Sequence, residues 1–483
     1  MSNDTDSIPG EDLRDLLGDP PNYVHGLLIV WSLEEWKRIG EVMLFELLAH
    51  WVSVGRDADS PGGYRRAQCV RQRPGEHVVM PPLATRTCSG DQLLVRATAT
   101  GLEIQNVGKN PMIVNGKVVT RCVLEPGQLM TLAGQFLFMC VRRPLPMPPW
   151  RHFDPRHLGP FGEPNAFGAI GEGEEAYRLM EQLAFAAQSG DHVLLLGESG
   201  TGKDACGRAI HAMSPSAPGP FVPISAGNLE RSLLVDQLFG HRKGYPESTM
   251  EESLGAIGEA HGGSLFFDEI GRLALDAQGA LLRVLDQGQY KQLGGKGVKY
   301  SLFKLIGAMS SPIDSLLLDL RQRLIRKIWV PRLVDRREDI ALIVRGILKK
   351  KHAENPDLTR HLVRKQADGS EEVVPPVMFI EKMLSQEAFE GNVRGLQEAV
   401  GEMLFESKPA QQGGVVLVRD QGDGEGEDEA RGSRLTKAEM EAALGRYAGR
   451  VSAAARELGV TRQSLYRAME RVGVKAKGGE GPR

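Results

Sequence analysis

Residues 193–204 constrain the fold of this chain more than any other stretch. Residues 193–196 are four consecutive apolar residues, which predict a buried strand. Residues 197–203 have the spacing G-x-x-x-x-G-K, in which backbone N–H groups surround phosphate oxygens and the lysine reaches the terminal phosphates. Residues 205–211 can start a helix whose N-terminus favours anions. The stretch predicts an α/β domain that binds a nucleoside triphosphate through Gly197, Glu198, Ser199, Gly200, Thr201, Gly202, Lys203 and Asp204.

A second strand with a polar end follows about sixty residues later. In Gly263-Ser-Leu-Phe-Phe-Asp-Glu-Ile-Gly271 an apolar run ends in Asp268 and Glu269. Asp268 is predicted to hold a magnesium ion, directly or through water, and Glu269 to polarise the attacking water. A solvated acidic turn is the alternative, and the upstream phosphate loop favours the catalytic interpretation.

Size and composition indicate a multidomain protein. The 483 residues exceed one ordinary core, and 25% charged with 41% hydrophobic residues is typical of a soluble globular chain. The sequence contains no apolar run of membrane-spanning length, and its polar N-terminus lacks the regions of a signal peptide. Five scattered cysteines without a C-x-x-C pair favour a reducing cytoplasm over a disulfide framework or a zinc site.

Composition and periodicity divide the chain into seven segments. Recurring short apolar runs separated by turn residues predict an all-β sandwich, and the proline-rich Arg143-Pro-Leu-Pro-Met-Pro-Pro-Trp150 predicts a stiff spacer after it. The predicted strands are Gly26–Trp31, Val42–Phe45, Trp51–Gly55, Leu93–Ala97, Leu102–Val107, Met112–Val114, Leu129–Leu132 and Phe136–Val141. The predicted segments are 1–21 disordered, 22–143 sandwich, 144–166 linker, 167–333 α/β core, 334–408 helical lid, 409–433 acidic linker and 434–477 helical DNA-binding module.

The basic C-terminal end points to nucleic acid. From Ser433 onward there are eleven Lys/Arg and five Asp/Glu, so 11 − 5 = +6 on a chain whose net charge is −3. Val451 to Glu470 has the pattern of a helix-turn-helix, with Gly459 at the turn and Thr461 as a helix cap. Leu465 and Met469 would face inward. The residues predicted to reach DNA are Thr461, Arg462, Gln463, Ser464, Tyr466 and Arg467.

Several motifs, in order, resemble the AAA+ domain of sigma-54-dependent transcriptional activators. They are Gly197 to Asp204, Leu238-Phe-Gly-His241, Gly263 to Gly271, Leu281-Leu-Arg-Val-Leu285, Arg336-Arg-Glu-Asp-Ile340 and Gly391-Asn-Val-Arg394. This resemblance implies ATP with Mg²⁺, a homo-oligomer between dimer and hexamer, and Arg394 as a sensor near the γ-phosphate. Acidic residues are usual at the position of Asp204 in this family. The C-terminal segment resembles the family's Fis-type helix-turn-helix.

The chain departs from this family at three places. The sigma-contacting loop of the family reads G-A-F-T-G-A, whereas this chain has Gly244-Tyr-Pro-Glu-Ser-Thr249. The first-sensor asparagine is replaced by Ser310. Of two arginines that reach a neighbouring subunit's nucleotide in the family, Arg323 is kept and Leu317 occupies the other position. The resemblance therefore implies nucleotide binding and an ATPase, and the three departures leave the rate of hydrolysis open, with slow hydrolysis as one alternative.

The N-terminal unit resembles a forkhead-associated (FHA) domain, a sandwich whose loops recognise phosphothreonine. Arg56, Ser89 and Asn110 occupy the matching positions, with Lys109 assisting. Gly90 and Gln92 replace the arginine and histidine that are usual in that family. A sandwich of this shape without phosphopeptide binding is the alternative.

Together these expectations describe a multidomain cytoplasmic regulator. It has an N-terminal all-β FHA sandwich, a central α/β AAA+ ATPase core with a helical lid, and a C-terminal all-α helix-turn-helix. Its expected partners are DNA, RNA polymerase holoenzyme and a phosphothreonine-bearing protein, with no membrane. Three alternatives stay open: a motor acting on sigma-54 polymerase, a DNA-binding regulator independent of sigma-54 in which ATP sets the oligomeric state, and an FHA scaffold with an inactive ring.

Overall fold

The computed structural model describes residues 22–47, 50–226 and 231–407, without the side chains of 231 and 232. No helix in these ranges is long and apolar enough to cross a bilayer. The strands are β1 Asn22–Ser32, β2 Val42–Phe45, β3 Val52–Val54, β4 Arg65–Arg66, β5 Cys69–Arg73, β6 Glu76–Val79, β7 Leu93–Ala97, β8 Leu102–Asn106, β9 Met112–Val114, β10 Lys117–Val119, β11 Arg121–Leu124, β12 Leu129–Leu132, β13 Phe136–Leu145, β14 Val193–Leu196, β15 Phe221–Ser225, β16 Ser264–Asp268, β17 Gln289–Tyr290, β18 Lys299–Tyr300, β19 Lys304–Met309, β20 Arg326–Trp329, β21 Val363–Lys365 and β22 Glu371–Val373. The α-helices are α1 Glu174–Gln188, α2 Lys203–Met213, α3 Arg231–Phe239, α4 Gly255–Glu259, α5 Leu275–Gln287, α6 Leu318–Arg323, α7 Ile340–Glu354, α8 Pro356–Thr359, α9 Val377–Ser385 and α10 Asn392–Glu406.

The N-terminal β-rich unit consists of two sheets around one core. One sheet has the order β10-β9-β12-β13-β1-β2-β5-β6 and the other has the order β11-β8-β7-β3-β4. Alternate residues of each strand, such as Leu27 and Ile29 in β1 and Leu93 and Val95 in β7, enter the shared core. All eight predicted strands are present. The short and polar strands β4, β5, β6, β10 and β11 were not predicted, because they lack an apolar run.

The central unit contains a five-stranded parallel sheet. Its order is β15-β16-β19-β14-β20, and all four neighbouring pairs are parallel. Apolar residues cover both faces: Leu194 and Leu196 of β14 enter one core cluster, and Val193 and Leu195 enter the other. This explains why β14 is apolar throughout, as parallel strands with two covered faces are. The phosphate loop, Glu269 and Ser310 all follow carboxyl ends of these strands, the edge at which ligands bind in α/β folds.

The region after β20 is mostly helical, as predicted. Helices α7, α9 and α10 form its core, and a small antiparallel hairpin of β21 and β22 is inserted between α8 and α9. Buried residues of α7 include Leu342, Val344 and Leu348, and those of α10 include Leu396 and Val400. This region is the lid over the carboxyl edge of the sheet.

The β-rich unit contacts the central unit through buried polar groups. The Arg73 guanidinium pairs with the Glu172 carboxylate, with Nη2 and Oε1 2.6 Å apart, and the Tyr177 hydroxyl donates to the same carboxylate. The Tyr23 hydroxyl donates to Glu174 Oε1 at 2.8 Å. Because Glu172 is buried and has partners from both units, it fixes the start of α1 against strand β5.

The same unit also contacts the lid. Trp31 Nε1 donates to the Pro375 carbonyl oxygen at 2.8 Å, and Trp36 N donates to Gln366 Oε1 at 2.7 Å. Arg345 on α7 is buried and donates to the Gly162 carbonyl oxygen at 2.8 Å. The sandwich therefore contacts both the sheet-bearing core and the lid.

The proline-rich segment differs from the predicted stiff spacer. Strand β13 continues to Leu145, and Arg143 is only 1% exposed and pairs with Glu338 of the lid at 2.5 Å. Met147 and Phe153 pack in a cluster with residues of α1, including Tyr177. Burial of these apolar side chains stabilises the packing of the segment against α1. The segment is therefore part of the interface between the β-rich unit and the central unit and not a free linker.

Candidate functional site

The phosphate loop adopts the conformation that its glycines allow. Gly200 has φ +78° and Gly202 has φ +98°, both in the left-handed region that glycine enters without strain. Gly202 then caps α2, which begins at Lys203, two residues before the predicted helix. Lys203 Nζ donates to the carbonyl oxygens of Gly197 at 2.8 Å and Glu198 at 3.0 Å. The loop thus holds the ammonium group through its own carbonyl oxygens, and contact of Lys203 with a phosphate stays a prediction.

The lid helix α10 begins directly on this loop. Val393 N donates to the Gly200 carbonyl oxygen at 3.1 Å, and Asn392 Nδ2 donates to the Ser199 carbonyl oxygen at 3.1 Å. A Cβ atom on Gly200 would overlap the Gly391 carbonyl oxygen, so the close approach requires glycine. Asn392 itself has φ +51°, an unusual conformation for a residue other than glycine. These contacts bring Arg394, in the first turn of α10, to the same cavity as the loop.

The acidic pair lies where the sequence predicted it. Asp268 is the last residue of β16, and Glu269 follows with φ +53°. Ser310, after β19, donates from Oγ to Glu269 Oε1 at 2.6 Å. Burial raises the pKa of Asp268, and the neighbouring Asp204 and Glu269 carboxylates raise it further. Backbone strain at Glu269 is common in functional sites, where the surrounding structure holds a side chain in one position.

One cavity of about 570 Å³ is lined by most of the predicted site residues, namely Ser199, Gly200, Thr201, Gly202, Lys203, Asp204, Asp268, Glu269 and Arg394. Gly197, Glu198 and Ser310 are adjacent to these residues but are not part of the lining. Its polar end has Lys203, Asp268 and Glu269, and its apolar end has Ile170 and Ile343. Sequence reasoning missed several lining residues, because they come from the segment before α1 and from α7. They include Gly168, Ala169, Ile170, Arg336, Ile343, Gly346, Ile347 and Lys350. Arg336 comes from the short 3-10 segment before α7 and lies in a recognised motif, Arg336 to Ile340, as the lining residue Val393 lies in Gly391 to Arg394.

Arg323 lies apart from this cavity. Its Nε pairs with Asp286 at 2.8 Å, and its side chain is 55% exposed. The backbone N–H of Leu317 donates to Gln278 Oε1 at 2.8 Å and caps the start of α6. An exposed Arg323 agrees with a role toward a neighbouring subunit, and that role stays a prediction.

The loop at residues 244–249 is compact. Gly244 N donates to the Met250 carbonyl oxygen at 2.8 Å, and Met250 N donates to the Glu247 carbonyl oxygen at 3.0 Å. The Tyr245 ring lies against Gly294, where a Cβ atom would be 2.5 Å from the ring. Pro246 and Glu247 are exposed at the tip.

The predicted phosphothreonine residues converge at one end of the sandwich. Arg56 N donates to the Ser89 carbonyl oxygen at 3.0 Å, and Lys109 N donates to Ser89 Oγ at 3.0 Å. Asn110 Nδ2 donates to the Thr87 carbonyl oxygen at 3.1 Å. The Arg56 side chain is partly exposed beside Asp57.

The side chain of Gln92 is hydrogen-bonded to both of these loops. Its side chain is buried, and Nε2 donates to Asn106 Oδ1 at 2.8 Å and to the Asn110 carbonyl oxygen at 3.0 Å. Ser89 N donates to Gln92 Oε1 at 3.2 Å. Glutamine thus bridges the two loops.

Comparison with known proteins agrees with the geometry of the central unit. Residues 169–333 match the family model of the Sigma-54 interaction domain. The transcriptional regulatory protein ZraR of Escherichia coli is 31% identical over 321 residues, which cover 63% of this chain and 69% of that protein. The chain belongs to the sigma-54-dependent transcriptional activator family. Residues 435–471 match the model of the Fis family of bacterial regulatory proteins.

Other relatives match over smaller shares. NtrC of Rhizobium meliloti is 34% identical over 245 residues, which are 47% of this chain and 45% of that protein. The Nif-specific regulatory protein of Herbaspirillum seropedicae is 37% identical over 194 residues, 38% of this chain and 36% of that protein. The chain therefore spans less than half the length of these two relatives. The crystal structure of NtrX from Brucella abortus is 24% identical with a TM-score of 0.46, and the match covers 63% of this chain and 69% of that chain.

The predicted DNA-binding residues lie outside the described residues, as do the predicted disordered N-terminal segment and the whole of the predicted acidic linker, 409–433. The residues predicted to reach DNA, from Thr461 to Arg467, are within the matched segment 435–471.

Two glycine substitutions test whether the lid depends on contact with the phosphate loop. Gly190 and Gly200 both have positive φ, +76° and +78°, but a Cβ atom on Gly190 meets nothing within 4 Å. Gly190→Ala should therefore cost only the strain of the left-handed conformation, about 1–2 kcal/mol. Gly200→Ala should lower the free energy of unfolding by about 1–3 kcal/mol more, because the lid must shift. Equal losses in urea unfolding would contradict the account.

Proposed function

We propose that this protein is an ATP-binding transcription regulator of the sigma-54 activator type, with the cavity between the phosphate loop and the lid as its nucleotide site. The observation that carries the proposal is the convergence of Lys203, Asp268 and Arg394 on that cavity. The apolar end at Ile170 and Ile343 suits a purine base, and the polar end suits the phosphates. DNA binding is assigned to residues 435–471.

The residues present fit a magnesium nucleotide. In the described part of the chain, no protein acceptor is hydrogen-bonded to the amide N–H groups of Gly200, Gly202 or Lys203, so these donors are available for phosphate oxygens. Three carboxylates come together here, those of Asp204, Asp268 and Glu269. Burial is the largest cause of the raised pKa of Asp268, and the other two carboxylates raise that pKa further. Carboxylate oxygens are preferred Mg²⁺ ligands, and Asp268 is the residue assigned to hold the ion. Bound Mg²⁺ would neutralise charge on the phosphates.

Glu269 is the residue assigned to activate water. Ser310 Oγ donates to Glu269 Oε1 at 2.6 Å, and Ser310 N donates to Glu269 Oε2 at 3.4 Å. Both contacts orient the carboxylate, and its remaining lone pairs can accept a proton from a water molecule. Serine therefore orients Glu269 directly, whereas its reach toward a water is shorter than that of the asparagine expected from the family. Arg394 would stabilise phosphate charge from the lid, and Arg323 would act on the nucleotide of a neighbouring copy.

Steady-state ATP hydrolysis tests this assignment. Lys203→Ala should weaken ATP binding by about 10-fold or more, since a charged hydrogen-bond donor to phosphate is lost. Glu269→Gln should keep ATP binding and lower turnover by about 100- to 10,000-fold, as expected for loss of a general base. Glu259→Gln, on the exposed face of α4, is the matched control and should hydrolyse ATP like the natural protein. Turnover of the natural protein no greater than that of the two site variants would refute the ATPase assignment.

The loop at residues 244–249 favours a second candidate function. In that candidate the protein regulates transcription without sigma-54, and ATP controls oligomerisation instead of polymerase remodelling. Tyr245 packs against Gly294, and the exposed tip carries Pro246 and Glu247 where a sigma-contacting loop would present phenylalanine and threonine. Pro246 does not offer the aromatic ring of the phenylalanine, and Glu247 offers a charged carboxylate instead of the threonine hydroxyl.

Transcription in vitro separates the two candidates. With sigma-54 polymerase and ATP, the second candidate predicts that the natural chain forms no open complexes. A variant in which residues 244–249 are replaced by Gly-Ala-Phe-Thr-Gly-Ala should form them. The matched control is the same variant with Glu269→Gln, which should be inactive because hydrolysis is lost. Open complexes formed by the natural chain would instead support remodelling of sigma-54 polymerase.

For the β-rich unit we propose phosphothreonine recognition. The support is the convergence of Arg56, Ser89, Lys109 and Asn110 on adjoining loops, which Gln92 bridges. A partly exposed guanidinium beside hydroxyl and amide donors is the chemistry that binds a phosphate monoester. The sensed partner is accordingly a phosphothreonine-bearing protein.

Peptide binding tests this proposal. Screening an oriented phosphothreonine peptide library should select peptides that the natural chain binds only when phosphorylated. Arg56→Ala and Ser89→Ala should each weaken the binding of a selected peptide by about 10-fold, because each removes a phosphate contact. Arg65→Ala, an exposed arginine on β4, is the control and should bind normally. Equal retention of unphosphorylated peptides would exclude phosphothreonine recognition.

A further inference from the structure

Three arginines lie close together where the core joins the lid, and they differ in their partners. Arg332 Nη2 pairs with Asp335 Oδ1 at 2.8 Å, and Arg337 donates to the Leu384 carbonyl oxygen. Arg336 has no hydrogen-bonding or ion-pair partner for its side chain among the described residues, and its Nε is buried without an acceptor. The Nε of Arg337 is also buried and unpaired, but Arg337 has the Leu384 carbonyl oxygen as an acceptor for another of its nitrogens. Leaving a buried donor unpaired costs free energy, so an acceptor that the protein itself does not provide is expected.

The backbone at Arg336 departs from its surroundings. Residues Leu333–Asp339 form a 3-10 helix, but Arg336 has φ −126° and ψ +48°, outside helical geometry. Its side chain lines the nucleotide cavity, whereas those of Arg332 and Arg337 do not. The interruption of the helix thus separates one arginine from its two neighbours and leaves it on the cavity wall.

Two electrostatic effects locate the guanidinium more closely. Burial raises the pKa of Cys206 to about 12, and the Arg336 charge opposes that shift. Burial likewise raises the pKa of Asp339 to about 6, and Arg336 is the largest opposing influence. Asp339 Oδ1 accepts the backbone N–H groups of Glu172 and Gly173, while Asp339 Oδ2 has no donor, so Arg336 is near this carboxylate without being hydrogen-bonded to it.

This position corresponds to a particular part of a bound nucleotide. Cys206 is one turn beyond Lys203 on α2, further from the terminal phosphates that the lysine reaches. On the lid side, Ile343 and Gly346 line the apolar end of the same cavity. In a nucleotide bound with its terminal phosphates at Lys203, Arg336 would therefore lie between the base and those phosphates.

We infer that Arg336 is a further nucleotide-binding residue, whose guanidinium donates to the base-proximal end of the phosphate chain of a nucleoside di- or triphosphate. The inference rests on the proposed nucleotide site. Arginine suits this role because its planar fork can donate two hydrogen bonds to phosphate oxygens. Since ADP and ATP share that end of the chain, Arg336 contributes equally to binding both. It does not act on the terminal phosphate.

Equilibrium titration with fluorescent ADP and ATP analogues tests the inference on the full chain. Arg336→Gln should weaken both nucleotides by about 10- to 100-fold and by the same factor, because one charge-assisted contact is lost. Arg336→Lys keeps the charge without the fork, so its loss should be smaller than that of Arg336→Gln. If the Arg336→Gln variant does not fold, the Arg336→Lys variant still tests the inference.

Arg337→Gln is the matched control. It makes the same chemical change one residue away, on a guanidinium that already has a protein acceptor. It should lower thermal stability while leaving nucleotide affinity within about twofold, a negligible free-energy change.

The outcomes separate the two levels of the proposal. Failure of the natural protein to bind either nucleotide would overturn the proposed site itself. Binding by the natural protein with unchanged affinity in folded Arg336→Gln and Arg336→Lys would overturn the role of Arg336 alone. A loss confined to ATP would also contradict it, because that result would assign the arginine to the terminal phosphate.

Discussion

The contact between the lid helix and the phosphate loop is the constraint on which the candidate nucleotide site depends. Gly391, Asn392 and Val393 lie against Ser199 and Gly200 so closely that only glycine fits at position 200. Without this contact Arg394 would have no fixed relation to Lys203, because the two residues are almost 200 positions apart in the chain. The strained backbone of Asn392 is consistent with a position that the surrounding contacts determine.

Helix α7 connects the nucleotide cavity with the N-terminal sandwich. Ile343 and Gly346 line the cavity, whereas Arg345, between them in sequence, donates to the Gly162 carbonyl oxygen and lies within 3.4 Å of the Trp36 carbonyl oxygen. Both faces of one helix are therefore buried against different partners. At the start of this helix, the Asp339 carboxylate accepts amides of Glu172 and Gly173, which joins the lid to the segment before α1.

Local sequence patterns predicted the parts of the site that lie within single motifs. The loop at 197–204 and the pair Asp268 and Glu269 were predictable because a strand followed by glycines or carboxylates has a direct chemical meaning. Ser310 was found through its position in the family motif. The lining residues Ile170 and Gly346 were not predictable, since their roles come from tertiary packing of segments with no polar signature.

The proline-rich segment shows a different limit. Its composition favours an extended path, and β13 indeed continues to Leu145. Composition does not specify what an extended segment contacts, so the burial of Arg143 against Glu338 and of Met147 against α1 had no sequence signal. The missed strands β4, β5 and β6 follow from the same cause, because a short strand without an apolar run is defined by its pairing. Strands β4 and β6 lie at sheet edges, and β5 lies between β2 and β6.

Hydrogen exchange with and without ADP tests the central claim most directly, since the claim joins two distant segments into one nucleotide site. The account predicts that ADP slows amide exchange both in residues 197–206 and in residues 391–397 at the start of α10. Residues 129–141 of the sandwich are the internal reference, and their amide exchange rates should change little when ADP is added. Protection in the loop without protection in α10, or no protection in either segment, would contradict the account.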